Sequence, residues 1–283
     1  MNYKVAILLT CHNRKDKTLA CLDALYNASI PENTEMDVFL VDDGSTDGTS
    51  EAVKKSFPEV NVIQGNGNLF WNQGMRLAWQ TASKNADYDF YLWLNDDTII
   101  DKNALSELFE NYHDALKRDD KPAIVVGTCR SDKSSNEFSY GGRNESGRLL
   151  PNGELQKSKY INGNLVLVPQ AIFKQIGMLS NNYTHALGDN DYGLRAILAG
   201  FTCYISKHYI ATCPRNPGIP GWCNPDNSLN KRWQLLHTPT GLNIKEYNHY
   251  RKKFWGKKWM IFALKAYLKT MIPNIYGKLS KSK

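Results

Sequence analysis

Asp89-Phe-Tyr-Leu-Trp-Leu-Asn-Asp-Asp97 is the stretch that decides the fold of this 283-residue chain. The apolar run up to Leu94 predicts a strand buried on both faces, which ends at the polar Asn95-Asp96-Asp97. Two carboxylates at the end of a buried strand are costly unless something cationic meets them. That edge of an open α/β sheet is also where ligands bind. The same residues also fit a purely structural interpretation, in which Asp97 or Asp101 caps the next helix.

Strand and helix patterns alternate through the first half of the chain, which is typical of crossover units and a mostly parallel sheet. Strands are predicted at Tyr3–Leu9, Met36–Val41, Val60–Gln64 and Phe90–Leu94, and helices at Lys15–Ala28, from about residue 48 to Ser56, and at Trp71–Ser83. We therefore predict an α/β fold with flanking helices.

The second half of the chain is less regular. Arg130–Leu155 is rich in Ser, Asn and Gly, so we expect a long loop or an edge hairpin. Pro169–Ile176 is predicted to be a helix with the proline at its first position. Asp189–Leu198 is predicted to be a helix, and Phe201–Ser206 a strand.

The net charge of +7 is unevenly distributed. Residues 245–283 hold 11 Lys and Arg against one acid, a net +10, so the preceding residues carry −3. The charge therefore gives no reason to expect nucleic-acid binding by the chain as a whole. The six cysteines form no C-x-x-C pair, and we expect reduced thiols. No secretory signal and no apolar run of about 20 residues is visible, so we expect a soluble or peripheral protein.

Four polar segments follow the four predicted strands of the first half. They are Thr10-Cys-His-Asn-Arg14, Val41-Asp-Asp-Gly-Ser-Thr-Asp47, the stretch from Gly65 to Gly74, and Asn95-Asp-Asp97. Parallel strands bring such segments to one edge of the sheet, where glycines let the backbone approach a ligand closely. Each segment alone can be an ordinary turn.

Together these segments resemble those of the inverting glycosyltransferases of family 2, which have the GT-A fold. Thr10–Arg14 resembles the first-strand motif of the family, and Val41–Asp47 matches its second motif almost letter for letter. Asn95–Asp97 stands where the family has its D-x-D metal motif. The resemblance covers roughly residues 3 to 212. It implies a GT-A domain over residues 1–240, with a nucleotide-binding half (1–100) and an acceptor half (101–240).

The resemblance also implies roles for individual residues. Asp43 would bind the nucleotide base and Asp42 would support its turn. Asp97 would bind Mg²⁺ or Mn²⁺, since hard cations prefer carboxylate and phosphate oxygens. Further contacts to the nucleotide sugar are implied for Thr10, His12, Arg14, Asn72, Gly74, Asp96 and Gly163.

The general base of the family comes from a Glu-Asp pair at the start of a helix in the second half. The matching positions are Gly188 and Asp189, so the Glu is absent and the resemblance makes Asp189 the base. Asp191 is the second candidate, although its spacing favours an ion pair with Arg195. Both carboxylates can also simply favour a helix N-terminus.

The sequence also departs from the family pattern at a metal-binding position. Many members of the family have a metal-binding His where this chain has Thr212 and Cys213, and His208 lies several residues earlier. A thiolate is a poor ligand for Mg²⁺, so the site would depend on Asp97, the donor phosphates and water.

The resemblance implies a nucleotide-sugar donor and a glycan or lipid-linked sugar acceptor, in surface polysaccharide assembly. The alternatives are a sugar-phosphate nucleotidyltransferase and a non-catalytic sugar-binding or membrane-scaffolding relative. The basic, aromatic extension at 241–283 contains a helical pattern at Trp259–Met271. This composition predicts one of two arrangements. The extension either contacts an anionic membrane surface, at the inner face of the cell membrane, or forms a helix packed on the catalytic domain with a solvated lysine face. We expect no nucleic acid.

Overall fold

The structure is a computed structural model that describes residues 3–215 and 218–274. These residues form two compact units. The first, here called the sheet unit, contains the chain up to Ser180 together with Gly188–Arg215. The second, the helical unit, contains Asn181–Leu187 and the residues from 218 onward.

The sheet unit alternates strands and helices, as predicted, over its first half. Its strands are β1 (Tyr3–Cys11), β2 (Thr34–Asp42), β3 (Asn61–Gln64), β4 (Phe90–Leu94), β5 (Ile99–Ile100), β6 (Ala123–Arg130), β7 (Phe138–Tyr140), β8 (Gly142–Asn144), β9 (Gly147–Arg148), β10 (Gln156–Lys157), β11 (Tyr160–Ile161), β12 (Leu165–Pro169) and β13 (Thr202–Thr212). Its helices are α1 (Lys15–Tyr26), α2 (Thr49–Ser56), α3 (Phe70–Asn85), α4 (Ala104–Asp119), α5 (Gln170–Ile176) and α6 (Gly188–Leu198).

The central sheet has the order β10-β13-β6-β12-β4-β1-β2-β3. Strands β1 to β4 pair in parallel, and β13 pairs in parallel with β6. Strand β12 runs antiparallel between β4 and β6. The expected α/β fold with a mostly parallel central sheet is confirmed. Because parallel neighbours point the same way, the segments after β1, β2, β3 and β4 lie at one edge.

Helices cover both faces of this sheet, which explains why the central strands β4 and β12 are apolar throughout rather than alternating. Ile7 belongs to the apolar cluster that includes α1 and α4. The next residue, Leu8, belongs to the cluster with α3, α5 and α6. Trp79 and Trp93 lie at the centre of this second cluster, with ring centroids 5.7 Å apart. Both tryptophans are therefore core residues.

The region expected to be a loop or an edge hairpin does contain a hairpin, because β8 pairs antiparallel with β9. Strand β7 lies there too, and β11 joins β8 in a small second sheet. Two other predicted elements differ from the structure. Pro169 is the N-cap of α5 rather than its first helical residue, because it still pairs with Phe90 at the end of β12. Strand β13 runs on to Thr212, since an irregularity between Ile205 and Tyr209 interrupts its pairing without ending it.

The helical unit is built from α7 (Leu229–Leu236), α8 (Ile244–Trp255) and α9 (Trp259–Met271), and α9 has the predicted bounds. Arg232 of α7 is buried and its Nε donates to the carbonyl of Thr270 at 2.7 Å. This contact joins α7 to the last turn of α9 within the helical unit. No helix within residues 3–215 and 218–274 has the length and apolar content needed to cross a bilayer.

Asp191 anchors the start of α6. It is fully buried, and its Oδ2 accepts a hydrogen bond from Arg195 Nε at 2.6 Å. Arg195 also donates to the carbonyls of Ile176 and Met178, so the pair ties α6 to the end of α5.

Replacing Asp191 by alanine should therefore lower the free energy of unfolding by about 3 kcal/mol, because a guanidinium is left in a largely buried site without its counter-charge. Urea denaturation measures this loss. Glu145→Ala at the exposed pair with Lys159 is the matched control, and should leave the urea midpoint unchanged. Equal midpoints for the two variants would contradict the anchoring role.

Candidate active site

The segments after β1 and β2 are held together by direct hydrogen bonds. His12 Nδ1 donates to the carbonyl of Asp43 at 2.7 Å. The backbone N–H of Asn13 donates to Ser45 Oγ at 2.9 Å, and Asn13 Oδ1 accepts from the backbone N–H of Thr46 at 2.7 Å. The two segments therefore form one rigid rim of the sheet edge, on which the side chain of His12 is exposed.

The two carboxylates of the second motif are buried and hold backbone. Asp42 is 1% exposed, and its Oδ1 accepts the N–H of Ser45 within the turn. Asp43 is 3% exposed, and its oxygens accept the backbone N–H groups of Gly67, Leu69 and Phe70 at 2.8–2.9 Å. Asp43 thus fixes the segment after β3, and its carboxylate oxygens are already in use by backbone donors.

Helix α3 packs against the first strand without a gap. A Cβ on Gly74 would lie 2.2 Å from Thr10 Oγ1, so only glycine permits this approach. Thr10 is consequently 8% exposed. Asn72 is fully buried and its Nδ2 donates to the carbonyl of Ser180 at 2.9 Å. Three of the residues for which the resemblance implies nucleotide contacts, Thr10, Asn72 and Gly74, are therefore closely packed below the sheet edge.

The Asp pair after β4 meets a cation from the first motif. Arg14 Nη1 lies 3.1 Å from Asp96 Oδ1 and 2.9 Å from Asp97 Oδ2. Burial raises the pKa of Asp96 to about 7, and the charge of Asp97 adds to this while Arg14 opposes it. The two carboxylates are thus stabilised by a positive charge, as expected for acidic residues at the end of a buried strand. The Arg14 side chain remains 44% exposed and accessible to a ligand.

The donor chemistry of this pair suits a hard divalent cation. Asp96 Oδ2 is buried and has no hydrogen-bond partner among the described residues, and the Asp97 side chain is 21% exposed. Carboxylate oxygens of this kind fit Mg²⁺ or Mn²⁺, provided that phosphate and water complete the coordination. Nowhere in residues 3–215 or 218–274 do three or more His, Cys, Asp or Glu side chains form a ready ligand set.

The residues in the position of the family's histidine do not extend this ligand set. Cys213 Sγ lies 3.6 Å from Asp97 Oδ1, and burial raises the pKa of its thiol to about 12. The protonated thiol donates to the Asp97 carboxylate. His208 instead contacts Glu107 and lines a cavity of about 520 Å³, whose lining includes none of the carboxylates described above.

Asp189 is the second residue of α6, and it faces the turn before β12. Its Oδ2 accepts the backbone N–H of Gly163 at 3.1 Å, and its Oδ1 accepts from the backbone and side chain of Asn190. Burial of the carboxylate raises the pKa of Asp189, although these hydrogen bonds oppose the shift. Asp189 as a residue is half-buried rather than sealed in the core, and a carboxylate with a raised pKa suits a general base.

A chain of contacts connects this carboxylate to the Asp pair. Gly163 packs under Trp71, so closely that an added Cβ would lie 2.3 Å from the indole. Trp71 Nε1 donates to Asn95 Oδ1 at 2.7 Å, and the N–H of Asn95 donates to the carbonyl of Asn164 at 2.9 Å. Asn95 immediately precedes Asp96, so Asp189 and the Asp pair are connected through the same chain of contacts.

Gly188, which stands where the family has its Glu, is closely packed against α3. A Cβ on Gly188 would lie 1.7 Å from Asn72 Oδ1, so any side chain at this position would displace the buried amide. Asp191, the other candidate base, is sealed in the core with Arg195. The two carboxylates proposed for catalysis thus have different environments, and Asp189 alone retains exposure.

Sequence reasoning missed how Arg14, Asn95 and Asn164 act. Arg14 was expected to contact only the ligand, yet it bridges both Asp96 and Asp97. Asn95 belongs to a predicted motif and Asn164 follows the predicted site residue Gly163, but their contacts join distant segments of the chain. The one available signal was that Asn95 and Asn164 each adjoin a predicted site residue at the end of a buried strand.

The family model described as Glycosyl transferase family 2 matches residues 6–176, which is more than half of the chain. A poly-beta-1,6-N-acetyl-D-glucosamine synthase of Staphylococcus aureus (strain MSSA476) is 29% identical over 130 residues. That alignment covers 44% of this chain and 28% of the synthase. The corresponding synthase of Staphylococcus epidermidis is 27% identical over 133 residues, with the same coverage of each chain.

Two solved structures share the fold. The mannosyltransferase PcManGT from Pyrobaculum calidifontis, in complex with GDP-Man and Mn²⁺, has a TM-score of 0.55 at 12% identity, covering 94% of this chain and 74% of that one. Residues 1–349 of TarS from S. aureus, in complex with UDP-GlcNAc, have a TM-score of 0.53 at 16% identity. This match covers 91% of this chain and 73% of the TarS chain. The fold is therefore of the GT-A type, and the chain belongs to glycosyltransferase family 2.

Proposed function

We propose that this protein is a metal-dependent inverting glycosyltransferase, which moves a monosaccharide from a nucleotide-sugar donor to an acceptor hydroxyl. The observation that carries the proposal is the chain of contacts through Trp71, Asn95 and Gly163. It fixes a carboxylate with a raised pKa, Asp189, relative to a second acidic group suited to a diphosphate-bound cation. Inverting transfer requires these two groups on opposite sides of one anomeric carbon.

The donor binds along the rim formed by the first two motifs. His12 and Arg14 are two of its exposed members, and we assign them contacts to the nucleoside and the diphosphate. Asp42 and Asp43 hold the rim and the following segment in shape, so we assign them support of the nucleotide pocket. Asp97, aided by Asp96, would hold Mg²⁺ or Mn²⁺, which when bound neutralises the charge that develops on the leaving diphosphate.

Asp189 is the base in this scheme. It removes the proton from the acceptor hydroxyl as that oxygen bonds to the anomeric carbon, while the bond from carbon to the diphosphate oxygen breaks. Gly163 orients the carboxylate through its N–H, and Asp191 positions α6 through Arg195. The residues from 1 to 100 then serve the donor, and those from 101 to 240 serve the acceptor.

The acceptor is proposed to be a glycan or a lipid-linked sugar in surface polysaccharide assembly. Support comes from the names of the relatives: the staphylococcal synthases form a poly-N-acetylglucosamine, and TarS was solved with UDP-GlcNAc. This acceptor class would place the protein in the cytoplasm, at the inner face of the cell membrane.

Changing Asp189 to asparagine should lower kcat/KM for transfer by at least about 10²-fold, because an amide cannot take the acceptor proton. The Kd of the nucleotide sugar should not change, because Asp189 contacts the acceptor side. Transfer is measured with UDP-, dTDP- and GDP-sugars in Mn²⁺ or Mg²⁺, and donor binding by calorimetry.

The matched control is Asp23→Asn on the exposed surface of α1, which removes the same charge and should retain full activity. Loss of donor binding together with transfer in Asp189→Asn would make Asp189 structural. If the unmodified protein bound no nucleotide sugar, the proposal would fail altogether. Donor binding without transfer or slow donor hydrolysis would instead favour the non-catalytic alternative.

The pH dependence of transfer should report the raised pKa of Asp189. The base is active when ionised, so kcat/KM should fall as the pH drops through this pKa. Because burial raises the pKa, the midpoint of the acidic limb should lie above the value of about 4 that is usual for Asp. The measurement is kcat/KM from acidic to neutral pH, with donor Kd followed over the same range.

The pH profile of the residual activity of the Asp189→Asn variant serves as the reference. This reference profile should lack the acidic limb. A limb at the ordinary value for Asp, or one that persists in the variant, would assign the titration to another group.

A further inference from the structure

Helix α9 presents its large apolar side chains to solvent. The exposed fractions are 38–59% for Met260, Ile261, Leu264, Leu268, Met271 and the following Ile272. At 100° per residue these positions fall within one arc of about 120° around the helix axis. The six residues, here called the α9 stripe, therefore form a continuous apolar surface rather than scattered exposed side chains.

The opposite face of α9 makes the contacts that fold the helical unit. Ala263, Ala266 and Thr270 are its buried residues. Ala266 belongs to a cluster with Leu236 and Ile244, and the carbonyl of Thr270 accepts the hydrogen bond from Arg232. Small residues thus face inward and large apolar residues face outward, the reverse of an ordinary surface helix. The α9 stripe is not needed to fold the unit.

Positive charge lies along one side of the stripe. Lys265 is exposed and lies next to Ile272 and Ile261 around the helix, and Lys257 and Lys258 are exposed at its start. The only acid from residue 245 onward is Glu246, and its carboxylate already accepts from the N–H and Oγ of Thr184. The charge beside the stripe is therefore not neutralised within its own segment.

Aromatic rings border the other side of the stripe. Tyr267 lies next to Met260 around the helix, and its ring centroid is 5.8 Å from that of Trp233. Trp233 is 44% exposed. Tryptophan and tyrosine favour the boundary between water and hydrocarbon, because each has an apolar body and a polar edge.

We propose that the α9 stripe docks on the surface of an anionic phospholipid bilayer, with α9 parallel to the membrane plane. The apolar side chains enter the boundary of headgroups and acyl chains, while the lysines contact anionic headgroups. A second copy of the chain is a poorer occupant, because pairing two stripes brings lysines against lysines. Docking of this kind does not depend on the proposed transfer activity.

The test is flotation of the full chain with vesicles of phosphatidylcholine, alone or with roughly 30% phosphatidylglycerol to supply negative charge. We expect binding to the anionic vesicles that weakens as salt is added. Leu264→Gln combined with Leu268→Gln should lower the partition coefficient by at least about tenfold, because two inserted leucines are lost. Lys257→Gln with Lys258→Gln should lower it by about fivefold per lysine on anionic vesicles only.

The matched control is Leu150→Gln with Leu198→Gln, which removes two leucines that are 56% and 77% exposed in the sheet unit. These changes should leave vesicle binding unaltered. Equal binding by the control and by the α9 variant would overturn the proposal, as would binding that ignores lipid charge. Absence of vesicle binding, with a dimer in sedimentation that the α9 variant abolishes, would assign the stripe to a second copy instead.

Discussion

The structure of the site depends on one constraint: carboxylates at the edge of a buried sheet must be met by donors. Three of them, Asp42, Asp43 and Asp96, are at most 5% exposed. Water cannot solvate them, so the neighbouring segments supply backbone N–H groups and a guanidinium. The same contacts that stabilise the charges also fix the shape of the loops. Order in these loops is therefore a consequence of their acidic residues.

Much of the fold was predictable from the sequence, because its signals are local. The apolar run Phe90–Leu94 and the helix Trp259–Met271 have the predicted bounds, since strand and helix periodicity are properties of consecutive residues. The hairpin of β8 and β9 lies in the region where a loop or hairpin was expected, but the bounds of its strands and the pairing of β8 with β11 were not predictable. These strands are two or three residues long and carry no pattern, so only their pairing reveals them.

The site was predictable in its residues but less so in their contacts. The motifs indicate which side chains gather at the sheet edge, and Asp97 and Asp189 do lie on segments joined through Asn95. Which side chain meets which is decided by packing between segments far apart in the chain. Arg14 and Asp96 are 82 residues apart, and no local pattern links them. Asp43 likewise belongs to a recognisable motif, yet its partners lie 24 to 27 residues further on.

The contact between Gly188 and Asn72 also bears on how the sequence can vary. A Cβ at position 188 would lie 1.7 Å from Asn72 Oδ1, so a side chain there requires the amide at 72 to move. The two positions are 116 residues apart in the chain, yet the size of one residue limits the size of the other. Descendants of this protein that regain an acidic side chain at 188 should carry a smaller residue at 72, and the two substitutions should be inherited together.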